Sequence, residues 1–273
     1  MPARIVEIGS ADAPEMEPYL RLRDRDLARG EDGLFVAEGE VVVRMLAAPR
    51  ARYRARSLLV ERRRLAQISD VVAALGSDVD AFVVPQAVMD AAVGFPIHRG
   101  ILAIGERGTA LPPSGLLATP GANVAVGLVG LTNHDNVGSV FRNAAAFGAR
   151  GVLLDGATCD PLYRKAIRVS VGAALVVPFA RCASAGAMLD TIAAEGWEAL
   201  ALSARGDETI DAALRAPSSA RGVVLLLGTE GEGLPSDILA RTRRVRIDMT
   251  PTLDSLNVAV ASGIALYETT RPR

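Results

Sequence analysis

Six short apolar runs, spaced by helical patterns from Asn123 onward, restrict the folds open to this chain more than any other feature. The runs are Val124 to Val129, Gly151 to Leu154, Ala174 to Pro178, Glu198 to Leu202, Val223 to Leu227 and Val245 to Ile247. Helical patterns fit Val137 to Phe147, Pro161 to Val171, Ala185 to Glu195 and Ser255 to Thr269. Strands that are Val, Leu and Ala almost throughout must be buried on both faces. Helices covering both sides of a parallel sheet provide that burial. Residues 123–273 are therefore expected to form an α/β domain with a parallel sheet.

The preceding part reads as a smaller α/β domain over residues 1–106. Its strand candidates are Ser57 to Val60, Ala81 to Val84 and Ile101 to Ile104, and its helix candidates are Glu40 to Ala48 and Arg62 to Leu75. Between the two, Arg107 to Asn123 is rich in Pro, Gly and Thr and shows neither helical nor strand periodicity. It reads as an interdomain linker, residues 107–122. A length of 273 residues accommodates both domains.

Composition narrows the environment. Half of the residues, 50%, are hydrophobic, yet no apolar run approaches the roughly 18 residues of a membrane span. The opening Met-Pro-Ala-Arg-Ile-Val-Glu-Ile shows no signal-peptide core, and Cys159 and Cys182 are too few for a disulfide framework. A cytoplasmic protein with no membrane association is expected. The net charge of −1 hides a local asymmetry: Arg44, Arg50, Arg52, Arg54, Arg56, Arg62, Arg63 and Arg64 are opposed within their own stretch only by Glu61. Such a patch is the electrostatic footprint of phosphate binding. It is equally what a solvated surface looks like where Arg is the default cation, and Lys165 is the only lysine.

Several chemistries fail on residue type. A Walker loop needs Gly-Lys-Ser/Thr, whereas the sole lysine lies in Tyr163-Arg-Lys165-Ala. A pyridoxal Schiff base would need that same lysine. The histidines, His98 and His134, lack a Gly-x-Ser-x-Gly or Cys partner motif, and with Cys159 and Cys182 they show no paired zinc spacing, so no metal is expected. Gly228-Thr-Glu-Gly231-Glu-Gly233 reverses the dinucleotide fingerprint, which argues against a Rossmann dehydrogenase.

What remains is three polar junctions: Asn136 to Gly148, Leu225 to Pro235 and Ile247 to Gly263. Each sits where an apolar run meets a polar turn, and strand ends of this kind converge on the ligand-binding rim of an α/β sheet. In the first, Arg142 and Asn143 follow Asn136 by one to two helical turns, and they either face a ligand or brace a helix. In the second, three glycines after a buried strand either let a ligand approach the backbone or simply make a tight turn, with Glu230 at the strand end. In the third, Asp254 or Ser255 could be an N-cap, whereas Asn257 falls inside the helix start and calls for a partner.

The order and content of these junctions, with Ser255-Leu256-Asn257 in the last, resemble the SpoU-type RNA ribose methyltransferases over roughly Asn123 to Thr269. The resemblance implies a parallel α/β domain with a deep trefoil knot, a topology that periodicity could not suggest because knots are very rare. It implies S-adenosylmethionine as methyl donor, RNA as substrate, and a homodimer whose RNA sites are completed across the interface. Transferred residue by residue, the catalytic group is Arg142, Asn136, Glu230, Ser255 and Asn257. The donor site is Gly228, Glu230, Gly231, Gly233, Ile247, Met249, Leu256 and Asn257. RNA contacts fall to Arg142 and to Arg44, Arg50, Arg52, Arg54 and Arg56.

Phe35-Val-Ala-Glu38-Gly39-Glu40 looks like the opening of the RNA-binding domain attached to many such enzymes, a fold similar to some ribosomal proteins. Ile97-His98-Arg99-Gly100-Ile101 departs from the Pro-Gln-Gly-Ile expected near that domain's end. The resemblance favours methylation of a ribose 2′-hydroxyl in rRNA. The alternatives are the same reaction on tRNA, a non-catalytic RNA-binding protein on this scaffold, and a small-molecule methyltransferase.

Overall fold

Strands buried on both faces do assemble into a parallel sheet in this computed structural model, which describes residues 1–20, 33–94, 96, 100–250 and 254–272. His98 and the departure at residues 97–99, and Pro251 to Leu253 of the third junction, lie outside the described residues. The chain groups into two compact units, Met1–Thr109 with Leu162–Val176, and Ala110–Pro161 with Val177–Arg273.

The first unit contains β1 (Arg4–Glu7), β2 (Leu34–Glu38), α1 (Glu40–Ala47), β3 (Arg54–Glu61), α2 (Ser69–Ala74), β4 (Asp80–Val84), α3 (Gln86–Val93) and β5 (Ile101–Glu106). Its sheet order is β1-β4-β3-β5-β2, with β5 antiparallel to both neighbours and the remaining pairs parallel. Glu38 and Gly39 have structural jobs here. Gly39 caps α1 at φ 94°, a conformation L side chains rarely adopt. The buried Glu38 carboxylate receives Arg164 Nη1 at 2.9 Å, which ties a segment from far along the chain onto β2.

The second unit opens with α4 (Pro113–Ala118) and continues with β6 (Val124–Leu128), α5 (His134–Ala146) and β7 (Val152–Leu154). After α6 (Arg164–Val169), which groups with the first unit, come β8 (Phe179–Arg181), α7 (Ala185–Ala194), β9 (Glu198–Leu202), β10 (Glu208–Thr209) and α8 (Ile210–Arg215). The chain then runs through β11 (Val223–Leu227), α9 (Ser236–Leu239), β12 (Arg243–Arg246) and α10 (Val258–Thr270). All seven strands of this sheet are parallel, in the order β10-β12-β9-β11-β6-β7-β8. Among the described residues no helix is long and apolar enough to cross a membrane.

Three local expectations are corrected. The stretch 107–122 is not simply a linker: Pro113 at the first turn starts α4, and Leu116 and Leu117 enter the core of the second unit. Ala174 to Pro178 is not a strand. Val171 and Gly172 reverse the backbone at φ 54° and 81°, Ala173–Leu175 forms a 3₁₀ turn, and the strand starts only after Pro178, which has no N–H to give a ladder. Arg62 to Leu75 is not one helix. Arg62–Ile68 is 3₁₀, and only Ser69–Ala74 is α-helical. Three arginines in a row oppose the positive end of a helix dipole, which disfavours an α-helical start at Arg62.

Candidate active site

The carboxyl ends of β9, β11 and β12 surround a cavity of about 620 Å³ in the second unit. That volume lies within the range of sites that enclose a small ligand. Of the expected donor residues, Gly228, Glu230, Gly231 and Gly233 line it from the loop after β11, and Ile247, Met249 and Leu256 line it from the chain around β12 and before α10. Ser255 also lines it.

The three loop glycines differ in why they are there. Gly228 cannot carry a Cβ because the atom would overlap the backbone of Gly233 and Leu234. Gly233 has φ 73°, and Thr229 and Gly233 exchange backbone bonds of 3.1 and 3.2 Å, closing a tight loop. Those two are explained by the turn alone. Gly231 is not. Its φ is not positive, and a Cβ there would meet no described atom within 4 Å. The turn itself would therefore admit a side chain at Gly231.

The three junctions meet through side chains. Asn136 is 7% exposed, and its Nδ2 donates to Glu230 Oε1. Asn257 Nδ2 donates to the same oxygen at 3.0 Å and to Asn136 Oδ1 at 3.2 Å. Its own Oδ1 accepts from the backbone N–H of Ala259 at 2.9 Å and Val260 at 3.4 Å. Asn257 is thus the N-cap of α10 rather than a residue inside the helix, and neither Asp254 nor Ser255 takes that role. Residues 254–256 stay outside the helix, which leaves Asn, one of the best capping residues, at the boundary. One asparagine both starts the last helix and fastens Glu230.

Local chemistry places Asn136 just as firmly. Asn133 caps α5 by accepting from Asp135 N–H at 2.9 Å, and Asn136, Val137, Val140, Phe141 and Ala144 form the buried face of that helix. Asn143 on the same helix donates to Ala259 O at 2.7 Å and Ser262 Oγ at 2.8 Å, clamping α5 to α10. The loop before α5 is braced by residues that sequence reasoning missed. Buried Asp155 accepts from Gly130 N–H at 3.1 Å and from Thr158 N–H at 2.8 Å, while Arg181 Nη1 donates to the carbonyls of Asp155 and Thr158 at 2.8 and 2.7 Å. The only hint was an Asp just after a strand.

Arg142 stands apart. Six residues beyond Asn136 is about 240° around a helix, so burying Asn136 turns Arg142 outward. It is exposed, does not line the cavity, and makes no hydrogen bond or ion pair among the described residues. The two thiols offer no alternative nucleophile, because burial pushes both Cys159 and Cys182 up to about 11.

The basic stretch of the first unit is less bare in space than in sequence. Arg44 is held by Asp70, by Glu40 at 2.9 Å and by the Gln67 carbonyl at 2.6 Å, and its hydrogen bond keeps the Asp70 carboxyl below the usual range. Arg54 pairs with Asp78, and Arg62 with Glu7. Arg50, Arg52 and Arg56 remain exposed without an ion pair among the described residues.

Comparison with known proteins places the chain in a family. An uncharacterized tRNA/rRNA methyltransferase of Mycobacterium tuberculosis (strain ATCC 25618 / H37Rv) is 38% identical over 274 residues, 98% of this chain and 92% of the relative. An AdoMet-bound rRNA methyltransferase from Sinorhizobium meliloti superposes with a TM-score of 0.79 at 25% identity, covering 97% of each chain. A structure described as an RNA 2′-O ribose methyltransferase gives a TM-score of 0.73 at 26% identity, over 97% of this chain and 98% of the other. Residues 123–267, which carry all three junctions and the Asn136–Glu230–Asn257 cluster, match one family along their whole length, and this chain belongs to the SpoU rRNA Methylase family.

Proposed function

We propose that this protein transfers a methyl group from S-adenosylmethionine to a ribose 2′-hydroxyl of RNA, and of rRNA in particular. Family membership and the similarity over nearly the full chain make it an RNA methyltransferase that uses S-adenosylmethionine. The ribose position and the rRNA target are the finer parts of the reading. The observation that carries it is the convergence of Asn136, Glu230 and Asn257 beside a cavity with a bare glycine wall.

The donor supplies an already activated methyl group when bound. The residues here must then hold it, align the accepting oxygen and stabilise negative charge developing on that oxygen. Main-chain groups at Gly228, Ile247 and Leu256 are suited to hold its adenine and methionine portions. Glu230 is fixed by the two asparagine amides and presents a carboxylate to a cationic ligand. Aligning the reacting groups can supply up to roughly 7–11 kcal/mol of the barrier reduction. Arg142 provides the charge term and grips the substrate phosphate, with Ser255 orienting phosphate or guanidinium. Arg142 acts through its fixed charge and planar fork of donors rather than as a base, and the hydroxyl proton leaves to a nearby acceptor or water.

The outward position of Arg142 fits an enzyme whose site is completed by a second copy. Val260, Ile264 and Tyr267 form a stripe on α10 that is 51%, 36% and 53% exposed, an apolar face suited to a homodimer. The reading also includes the deep trefoil knot formed by the C-terminal segment. It is supported by β12 lying between β10 and β9 while α10 returns to pack on α5.

In the first unit, Arg50, Arg52 and Arg56 are the cations of the expected RNA surface left to meet phosphate. Replacing Arg52 and Arg56 with Gln should weaken RNA binding. The slope of log affinity against log salt should flatten by about 0.7–0.9 for each phosphate no longer neutralised. Arg44→Gln should move that slope less, because Arg44 is already engaged by Asp70 and Glu40. An unchanged slope in the double variant would leave the stretch a solvated surface. The function itself is tested by mapping 2′-O-methyl groups in total RNA from cells with and without the protein. A site that disappears from rRNA supports the reading, one that disappears from tRNA moves it to that substrate, and an unchanged map overturns it.

A further inference from the structure

Arg205, in the turn after β9, lines the same cavity as the glycine loop, and its side chain makes no hydrogen bond or ion pair among the described residues. Its surroundings make that notable. The cavity wall also includes the carboxylates of Glu230, Glu232 and Asp254. Its other arginine, Arg244, is engaged by Asp207 through two bonds of 2.8 Å. Among the described lining residues Arg205 is the cation left available.

The backbone beneath Arg205 is held on several sides. Ser203 N–H donates to Val245 O at 2.9 Å, Gly206 N–H to Ser203 O at 3.0 Å, and Asp207 N–H to Arg244 O at 3.1 Å. Ser203 Oγ accepts from Arg205 N–H at 3.3 Å, and Arg246 Nη1 donates to Gly206 O at 3.2 Å. Gly206 is pressed so closely on the Val245–Arg246 backbone that no Cβ fits. The turn is therefore a rigid mount, and a charge on a rigid mount loses little freedom when it engages a ligand.

S-adenosylmethionine carries one anionic group, the carboxylate of its methionine portion. The three carboxylates on the wall disfavour that group unless a cation receives it, and a guanidinium matches a carboxylate with two parallel hydrogen bonds. We propose that Arg205 is the residue that recognises the donor's carboxylate, which makes it a determinant of donor specificity. The proposal rests on reading this cavity as the donor site.

Isothermal titration separates the two ideas, using S-adenosylmethionine and its decarboxylated analogue, which keeps the sulfonium and the amine. The wild-type protein should prefer the intact donor. Arg205→Ala should weaken S-adenosylmethionine by roughly 10- to 100-fold, the size of a missing charge-assisted pair, and leave the analogue unchanged. Arg205→Lys should recover part of the preference. Equal weakening of both ligands, or of neither, in a variant with an unchanged melting curve would overturn the assignment. If the wild-type protein bound neither ligand, the cavity itself would no longer be the donor site, which is a different failure.

Discussion

Arg142→Ala is expected to cut single-turnover methylation at saturating RNA and donor by at least about 10²-fold, the usual size of losing one preorganised charge stabiliser. Donor affinity should stay close to wild type, because Arg142 does not line the cavity. The structure strengthens this separation, since Arg142 is exposed and holds no partner among the described residues, so its removal leaves no buried group unsatisfied. Stability should therefore barely change. Arg142→Lys should rescue poorly, because a point charge cannot reproduce the planar fork on phosphate and hydroxyl. Rapid-quench methylation and calorimetric donor binding on the same preparations would show the split. Normal methylation by the Ala variant would reduce Arg142 to a surface residue.

The second large effect concerns Gly231. Gly231→Val should remove measurable S-adenosylmethionine binding while the protein melts as before. The fold tolerates the change: no described atom lies within 4 Å of the new Cβ, and the backbone needs no glycine conformation there. Any penalty must then come from a ligand. Gly228→Ala would not discriminate, because its Cβ would strike the backbone of Gly233 and open the loop whether or not a ligand binds. Wild-type donor affinity in Gly231→Val would take the loop after β11 out of the site.

Much of the fold is legible in the sequence because burial on both faces writes itself as continuous Val and Leu. Val223–Leu227 and Glu198–Leu202 coincide with β11 and β9. β1 is invisible for the opposite reason: Arg4–Glu7 is largely exposed and has no apolar run to read. β10 is two residues long and carries no period at all. α4 hides inside a Pro- and Gly-rich stretch, although its Pro113 is the residue that starts it.

The site divides along similar lines. Strand ends with Gly and Asn can be picked out, since special backbone needs restrict residue type locally. What they touch cannot, because Asn136 and Glu230 lie 94 positions apart and Asn136 and Asn257 lie 121 apart. The same distance in sequence conceals the acids that occupy the basic stretch, so that Arg54 reads as free until Asp78 is placed beside it. Arg205 does not stand out in sequence because a single arginine in a turn looks like any other. Its character comes from the three carboxylates and the paired Arg244 that share the cavity wall with it.

The most direct test is nucleoside analysis of RNA methylated by the purified protein with isotopically labelled S-adenosylmethionine. After complete digestion, the account predicts label in 2′-O-methylated nucleosides, and in alkali-resistant dinucleotides when the same RNA is treated with base, since a blocked 2′-hydroxyl cannot attack its phosphate. Label confined to a methylated base, with the backbone fully cleaved by alkali, would contradict it.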